Sequence, residues 1–238
     1  MIFLYILSAT VSLIALWFIF YFVCSILVDV TKEYTDNNVF YRSILNASSL
    51  VAIFVLRIKI TVSGAEKLEK GKKYLFVSNH RSNLDPILAW YIFRDFNISF
   101  ISKPENFKVP IFGRIIHRCA FLPIDREDPF KAMECINKAS KLLEKGEHSV
   151  GVYPEGKRNT KNEMLPFHNG VFRIAQKSKS SIAVVSIKGT DNVNKNIPFK
   201  RTAVRFDVLA IIEPEEQTGL RTNVIGDRVR SILEDGLK

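Results

Sequence analysis

Cysteine is scarce in this chain and odd in number: Cys24, Cys119 and Cys135 are the only three, and no C-x-x-C spacing occurs. That pattern excludes a disulfide framework and argues against a zinc site, leaving three buried thiols in a reducing compartment as the expectation. Acidic residues are also short, with 24 Asp and Glu against 34 Lys and Arg, a formal charge of +10. There is no internal repeat and no low-complexity linker, so a solenoid or a beaded array is excluded. Aromatics are not clustered among basic residues, so the positive charge is not read as a nucleic-acid surface. Charge of either sign is missing altogether between Ile2 and Val28.

That uncharged run is long enough to cross a bilayer as a helix. A cleaved signal peptide is the rival reading, but it would need a positive start and a shorter apolar core. A second apolar stretch, 39–55, is interrupted by Arg42, Asn46, Ser48 and Ser49. It reads as a helix lying in the interface or dipping into one leaflet, with a second full span as the alternative. Lys32, Arg42, Arg57 and Lys59 follow the first apolar run and no basic residue precedes it. The positive-inside tendency therefore places the remainder of the chain in the cytoplasm, on the face of the cell membrane. Most of the net charge lies beyond Ile60, which suits an anionic membrane surface or phosphate-bearing substrates.

From residue 57 onward the pattern changes. Segments 58–62, 74–78, 98–102, 120–124, 149–153, 182–187 and 202–212 are rich in β-branched and aromatic residues and read as strands. Helical patterns fall between them at 86–93, 129–143, 171–177 and 222–233, the second with apolar residues at three- and four-residue steps. Alternation of this kind predicts an α/β domain with a mostly parallel sheet flanked by helices. The expected organisation is an N-terminal membrane helix or two-helix membrane motif over 1–56 and the α/β domain over 57–238. In such sheets chemistry gathers beyond the carboxyl ends of the strands.

Three segments place reactive residue types there. VSNHRSNLDP (77–86) follows one strand and precedes a helix. Fully extended, His80 and Asp85 would stand about 17 Å apart, so contact requires the loop to fold back, which Ser82 and Asn83 permit. In contact, the carboxylate would hold one ring nitrogen and leave the other to take a proton from a hydroxyl. The alternative is a plain loop histidine and an aspartate that only caps the helix. GVYPEGKRN (151–159) joins a strand to Glu155, Gly156, Lys157 and Arg158. Glycine allows close approach to a ligand, and the arginine can grip a phosphate with two parallel bonds. A solvated turn of mixed charge is the alternative. The stretch 102–128 mixes Lys103, Arg114, Arg118 and Arg126 with Phe107, Pro110, Ile111 and Phe112. The cations could line a phosphate groove and the apolar residues an acyl chain, or the whole could be an amphipathic connection.

In their order and spacing these segments resemble the 1-acylglycerol-3-phosphate acyltransferases of the glycerophospholipid acyltransferase family. NHRSNLD matches the family's H-x4-D motif, FLPIDR its second and YPEGKRN its third. The resemblance covers roughly residues 58–212 together with the apolar N-terminus of bacterial members. It implies that His80 is the general base, with Asp85 as its partner. It further implies that Arg126, Glu155, Gly156 and Arg158 bind the acceptor or its phosphate, with Lys103 and Lys157 beside them. The implied donor is acyl-CoA or acyl carrier protein and the implied acceptor a membrane lipid, with no metal and no cofactor. Three departures bear on the acceptor pocket and the sheet: Lys157 where the family has Thr, Ala120 where Gly often stands, and no proline near 181–187.

Overall fold

The computed structural model describes residues 1–159 and 163–238. Helix α1 (Ile2–Ile26) is followed by α2 (Val39–Val55), then by β1 (Ile58–Ser63) and β2 (Tyr74–Ser78). Next come α3 (Asp85–Ile92), β3 (Ile98–Ser102), the single turn α4 (Pro104–Phe107), α5 (Phe112–Arg118) and the short strand β4 (Leu122–Pro123). Helix α6 (Pro129–Glu144), β5 (Ser149–Val152), α7 (Arg173–Ser178) and β6 (Ser181–Lys188) follow. The chain closes with the turn α8 (Val193–Asn196), β7 (Thr202–Ile212), the turn α9 (Pro214–Gln217) and α10 (Thr222–Leu237).

The seven strands form one sheet in the order β1-β7-β6-β2-β5-β3-β4. The five strands from β6 to β4 run parallel, as the alternation of elements predicts. The sheet is nonetheless mixed at one edge. β7 pairs antiparallel with β6, and β1 pairs parallel with β7, so these two run against the rest. The reason is the link between β6 and β7, which holds only single helical turns and no helix long enough to carry the chain back across the sheet.

β2 and β6 are buried on both faces, which is why their sequences are unbroken apolar runs rather than alternating ones. Along β2, Tyr74 and Phe76 enter one core, with residues of α2, α3 and α5. Leu75 and Val77 enter the other, with residues of α6, α7 and α10. The helix α5 was not evident in the amphipathic stretch 102–128. It forms around the buried Ile115 and Ile116, next to Gly113, whose Cβ would strike the Phe107 backbone.

Helix α1 is long and apolar enough to cross a membrane, and most of its described side chains are exposed. Its last turns pack antiparallel on α2. The Tyr21 hydroxyl donates to Ile44 O at 2.8 Å, and the Tyr41 hydroxyl to Cys24 O at 2.9 Å. Helix α2 has one exposed apolar face, while Tyr41, Ile44 and Leu45 belong to the core of the α/β part. Arg42 is buried too. Its guanidinium donates to Asn97 O, Ile98 O and Ser99 Oγ, meets His148 Nδ1 at 2.7 Å, and lies over the Trp90 ring. α2 is therefore keyed into the α/β part rather than surrounded by lipid.

Candidate active site

The sheet order brings the predicted segments together. β2, β5, β3 and β4 are neighbours running the same way, so their carboxyl ends form a row. Those ends lead into the His80 loop, the Glu155–Arg158 loop, Lys103, and Arg126. Val77 lies opposite Val152 in the ladder, which sets the His80 and Glu155 loops side by side.

The His80 loop does fold back. His80 Nδ1 meets Asp85 Oδ2 at 2.8 Å. The same oxygen accepts the Arg81 N–H at 2.6 Å and the Ser82 N–H at 2.7 Å. Asp85 is 0% exposed. It is the first residue of α3 and Leu84 is the cap, so Asp85 is not the N-cap that the alternative reading made it. Its carboxylate turns away from its own helix and organises the preceding loop. A buried carboxylate taking three donors on one oxygen is held in a fixed position beside the imidazole.

His80 is held by both backbone groups as well. Its N–H donates to Glu155 Oε1 at 3.0 Å, and its carbonyl accepts the Asn159 N–H at 2.7 Å. Asn79, just before it, pairs with Ile187 on β6 through both side-chain atoms, at 2.9 and 2.8 Å. The ring stacks on Tyr153 with centroids 4.4 Å apart, and Tyr153 stacks in turn on Phe100. Burial, with the nearby Asp85 charge adding to it, pushes the Tyr153 hydroxyl well above its ordinary pKa, so it stays protonated. With Nδ1 committed to Asp85, Nε2 is the nitrogen left for a hydroxyl in the cavity that His80 lines.

That cavity measures about 780 Å³. Its interior is apolar, lined by Trp90, Phe100, Ile116, Phe121 and Ile124, and α2 contributes Leu45 and Ser49 to the wall. Lys103, Arg126, Lys157 and Arg158 line the same cavity and are all exposed, so cationic groups stand at its mouth. Gly156 lies beneath them with φ +72°, and Arg126 Nη1 donates to its carbonyl. A Cβ on Gly156 would come within 2.7 Å of the His168 ring, so glycine is required for both conformation and space.

Three sequence expectations need revision here. Glu155, expected to bind the acceptor, is buried, at 3% exposed. Its Oε1 takes the His80 N–H, and its Oε2 takes Asn159 Nδ2 and the Leu165 N–H. It ties the two loops together and does not line the cavity. Arg118 and Arg114 do not line a phosphate groove. Arg118 grips Asp36 with two bonds, at 3.0 and 2.8 Å, and Arg114 donates to Val28 O, so both hold the α1–α2 link on the α/β part. Of the apolar residues in 102–128, Phe112 lines the cavity, while Phe107 and Ile111 pack against the core.

Tyr153 and His168 are among the cavity residues that sequence reasoning missed. Tyr153 was read as the last residue of its strand, but it lies just beyond β5 and under the His80 ring. His168 lies thirteen residues beyond Glu155, so spacing gave no sign that its ring would return over Gly156; it lines the cavity.

A family model described as Acyltransferase matches residues 59–188. The 1-acyl-sn-glycerol-3-phosphate acyltransferase of Saccharomyces cerevisiae is 29% identical over 188 residues, covering 77% of this chain and 61% of that protein. The chloroplastic LPAT1 of Arabidopsis thaliana is 32% identical over 136 residues, 57% of this chain and 37% of that protein. This chain thus matches less than two thirds of the length of either. A protein of the same name from Borreliella burgdorferi is 26% identical over 198 residues, 80% of this chain and 78% of that one. Among solved structures, the LPA acyltransferase PlsC from Thermotoga maritima superposes with a TM-score of 0.68 at 22% identity. That match covers 82% of this chain and 78% of the other.

Proposed function

This chain belongs to the acyltransferase family, and from that premise we propose that it moves a fatty acyl group from a thioester to the free sn-2 hydroxyl of 1-acylglycerol 3-phosphate, giving phosphatidic acid. One observation carries the reading. An imidazole oriented by a buried carboxylate opens into a cavity with an apolar interior and cations at its mouth. A lysophosphatidate has both features to match, a phosphate for Arg126, Arg158, Lys103 and Lys157, and an acyl chain for the interior.

With the phosphate held at the mouth, the hydroxyl reaches His80 Nε2. The imidazole takes the proton as the oxygen attacks the thioester carbonyl, and Asp85 stabilises the imidazolium that forms. Collapse of the tetrahedral intermediate breaks the C–S bond, and the imidazolium returns its proton to the departing thiolate. The thioester supplies the activated acyl group, so the scheme needs no resident metal or cofactor. Helix α1, long and apolar enough to cross a membrane, would anchor the protein where the acceptor resides, and the basic residues after it favour the cytoplasmic side for the α/β part.

The test is a product assay with purified protein, lysophosphatidate, and either acyl-CoA or acyl carrier protein as donor. Phosphatidic acid with one or both donors is expected. A panel containing glycerol 3-phosphate, other lysophospholipids and a lyso-aminolipid checks the acceptor, and preference for one of these over lysophosphatidate would overturn the acceptor assignment. Absence of transfer to every acceptor would leave a lipid-binding protein.

A further inference from the structure

Outside the cavity, one surface joins unburied aromatic side chains to positive charge without a balancing acid. Phe199, in the link between β6 and β7, is 85% exposed, and Phe54, at the end of α2, is 83% exposed. They belong to one patch. The Arg57 N–H donates to Phe54 O at 3.0 Å, while its guanidinium donates to Pro198 O at 2.9 Å and Phe199 O at 3.4 Å. The ladder register sets Ile58 opposite Thr202, so Arg57 and Arg201 are adjacent.

Arg57, Lys59, Lys195, Lys200 and Arg201 are all exposed on this edge, and none has an ion-pair partner among the described residues. No acidic residue occurs between Asp36 and Glu66, or between Asp191 and Asp207. Arg205 is left out of the set because Asp207 pairs with it at 2.7 Å. Arg57 also ties the link to the end of α2, but no acidic group balances its charge or that of the other four cations.

We infer that this edge of the α/β part is a docking surface for an anionic lipid layer, with Phe199 entering the layer and the surrounding cations meeting lipid phosphates. The occupant follows from charge and continuity. A second copy of the same patch would bring like charges together, whereas an anionic bilayer offers both the negative charge and the apolar interior that the patch lacks. The patch also continues the exposed apolar end of α2, so helix and loop meet one surface. The inference rests on membrane attachment through α1 and not on the acyl-transfer reading.

The experiment uses the full chain with Phe199→Cys carrying a nitroxide label, since Cys24, Cys119 and Cys135 are all buried. Labelled protein is reconstituted into phosphatidylcholine vesicles with or without phosphatidylglycerol. Collision rates with oxygen and with a water-soluble nickel chelate are then read. The label is expected to be oxygen-accessible and nickel-shielded only where phosphatidylglycerol is present. Adding Lys200→Glu and Arg201→Glu should lower the inserted population about fivefold for each charge removed. A label equally open to nickel in both vesicle types overturns the inference. So does a label shielded from both oxygen and nickel in either vesicle type, which would identify a protein contact. An unchanged melting temperature shows that each variant is folded. The readout needs no turnover, so failure here is separable from failure of the proposed reaction.

Discussion

Replacing Asp85 by Asn separates two roles that this carboxylate combines. Its Oδ2 holds the loop by accepting two backbone N–H groups, and it faces His80 Nδ1. An asparagine oxygen in the same place can still accept all three bonds, so the loop is expected to keep its shape. What disappears is the negative charge. In the proposed mechanism His80 takes the proton of the acceptor hydroxyl beside that charge. In the transition state it becomes an imidazolium about 4 Å from the carboxylate centre, an interaction of about 4 kcal/mol at an effective dielectric near 20. Loss of an interaction made mainly in the transition state lowers kcat and not KM. Allowing for residual stabilisation by the amide oxygen, kcat should fall about 10²–10³-fold, with KM for the acceptor within about twofold. Thiol release from an acyl thioester, followed in mixed micelles with lysophosphatidate, measures both constants. A fall in kcat below about tenfold would show that Asp85 serves only to shape the loop, and the dyad argument would be refuted.

Glu155→Gln sets an amide N–H against donors that now meet Oε2. It should destabilise the fold by about 2–4 kcal/mol and lower kcat through the displaced His80 loop, seen as a lower Tm. A changed KM with an unchanged Tm would instead return Glu155 to the substrate site. Arg158→Ala should raise KM for a phosphate-bearing acceptor about tenfold and leave KM for the thioester unchanged, and equal effects on both would remove Arg158 from the phosphate site. Arg42→Ala removes four buried contacts between α2 and the α/β part and should cost about 2–4 kcal/mol by denaturant titration. His148 is held down to about 4 from 6.5 by burial and by the Arg42 charge. Its neutral form is therefore the folded one, so the unfolded chain binds more protons as pH falls from 6.5 towards 4. Stability should be lost across that window at up to about 1.4 kcal/mol per pH unit, and His148→Gln should flatten the slope if the ring is its source.

The local features were legible because they are local. A run without charge makes an apolar helix, β-branched segments bounded by turns make strands, and H-x4-D after a strand can fold back into a dyad. All seven strands lie where composition placed them, although β4 shrinks to Leu122–Pro123 just beyond Ala120 at φ 61°. Residue types alone could not separate the Glu155 that stitches two loops from the Arg158 that lines the cavity. Charge near a glycine turn reads the same in either role. Nor could Arg118 be told from Arg126, since one finds an aspartate on the α1–α2 link and the other does not.

The sequence by itself determined the alternation of strands and helices, the apolar lead segment and the His80–Asp85 spacing, because each depends on neighbours along the chain. Only the tertiary structure decided that β2, β5, β3 and β4 stand side by side, that β7 turns against β6, and that His168 and Tyr153 join the cavity. Strand order is chosen by which faces bury best across the whole sheet, a long-range competition that no short window of residues records.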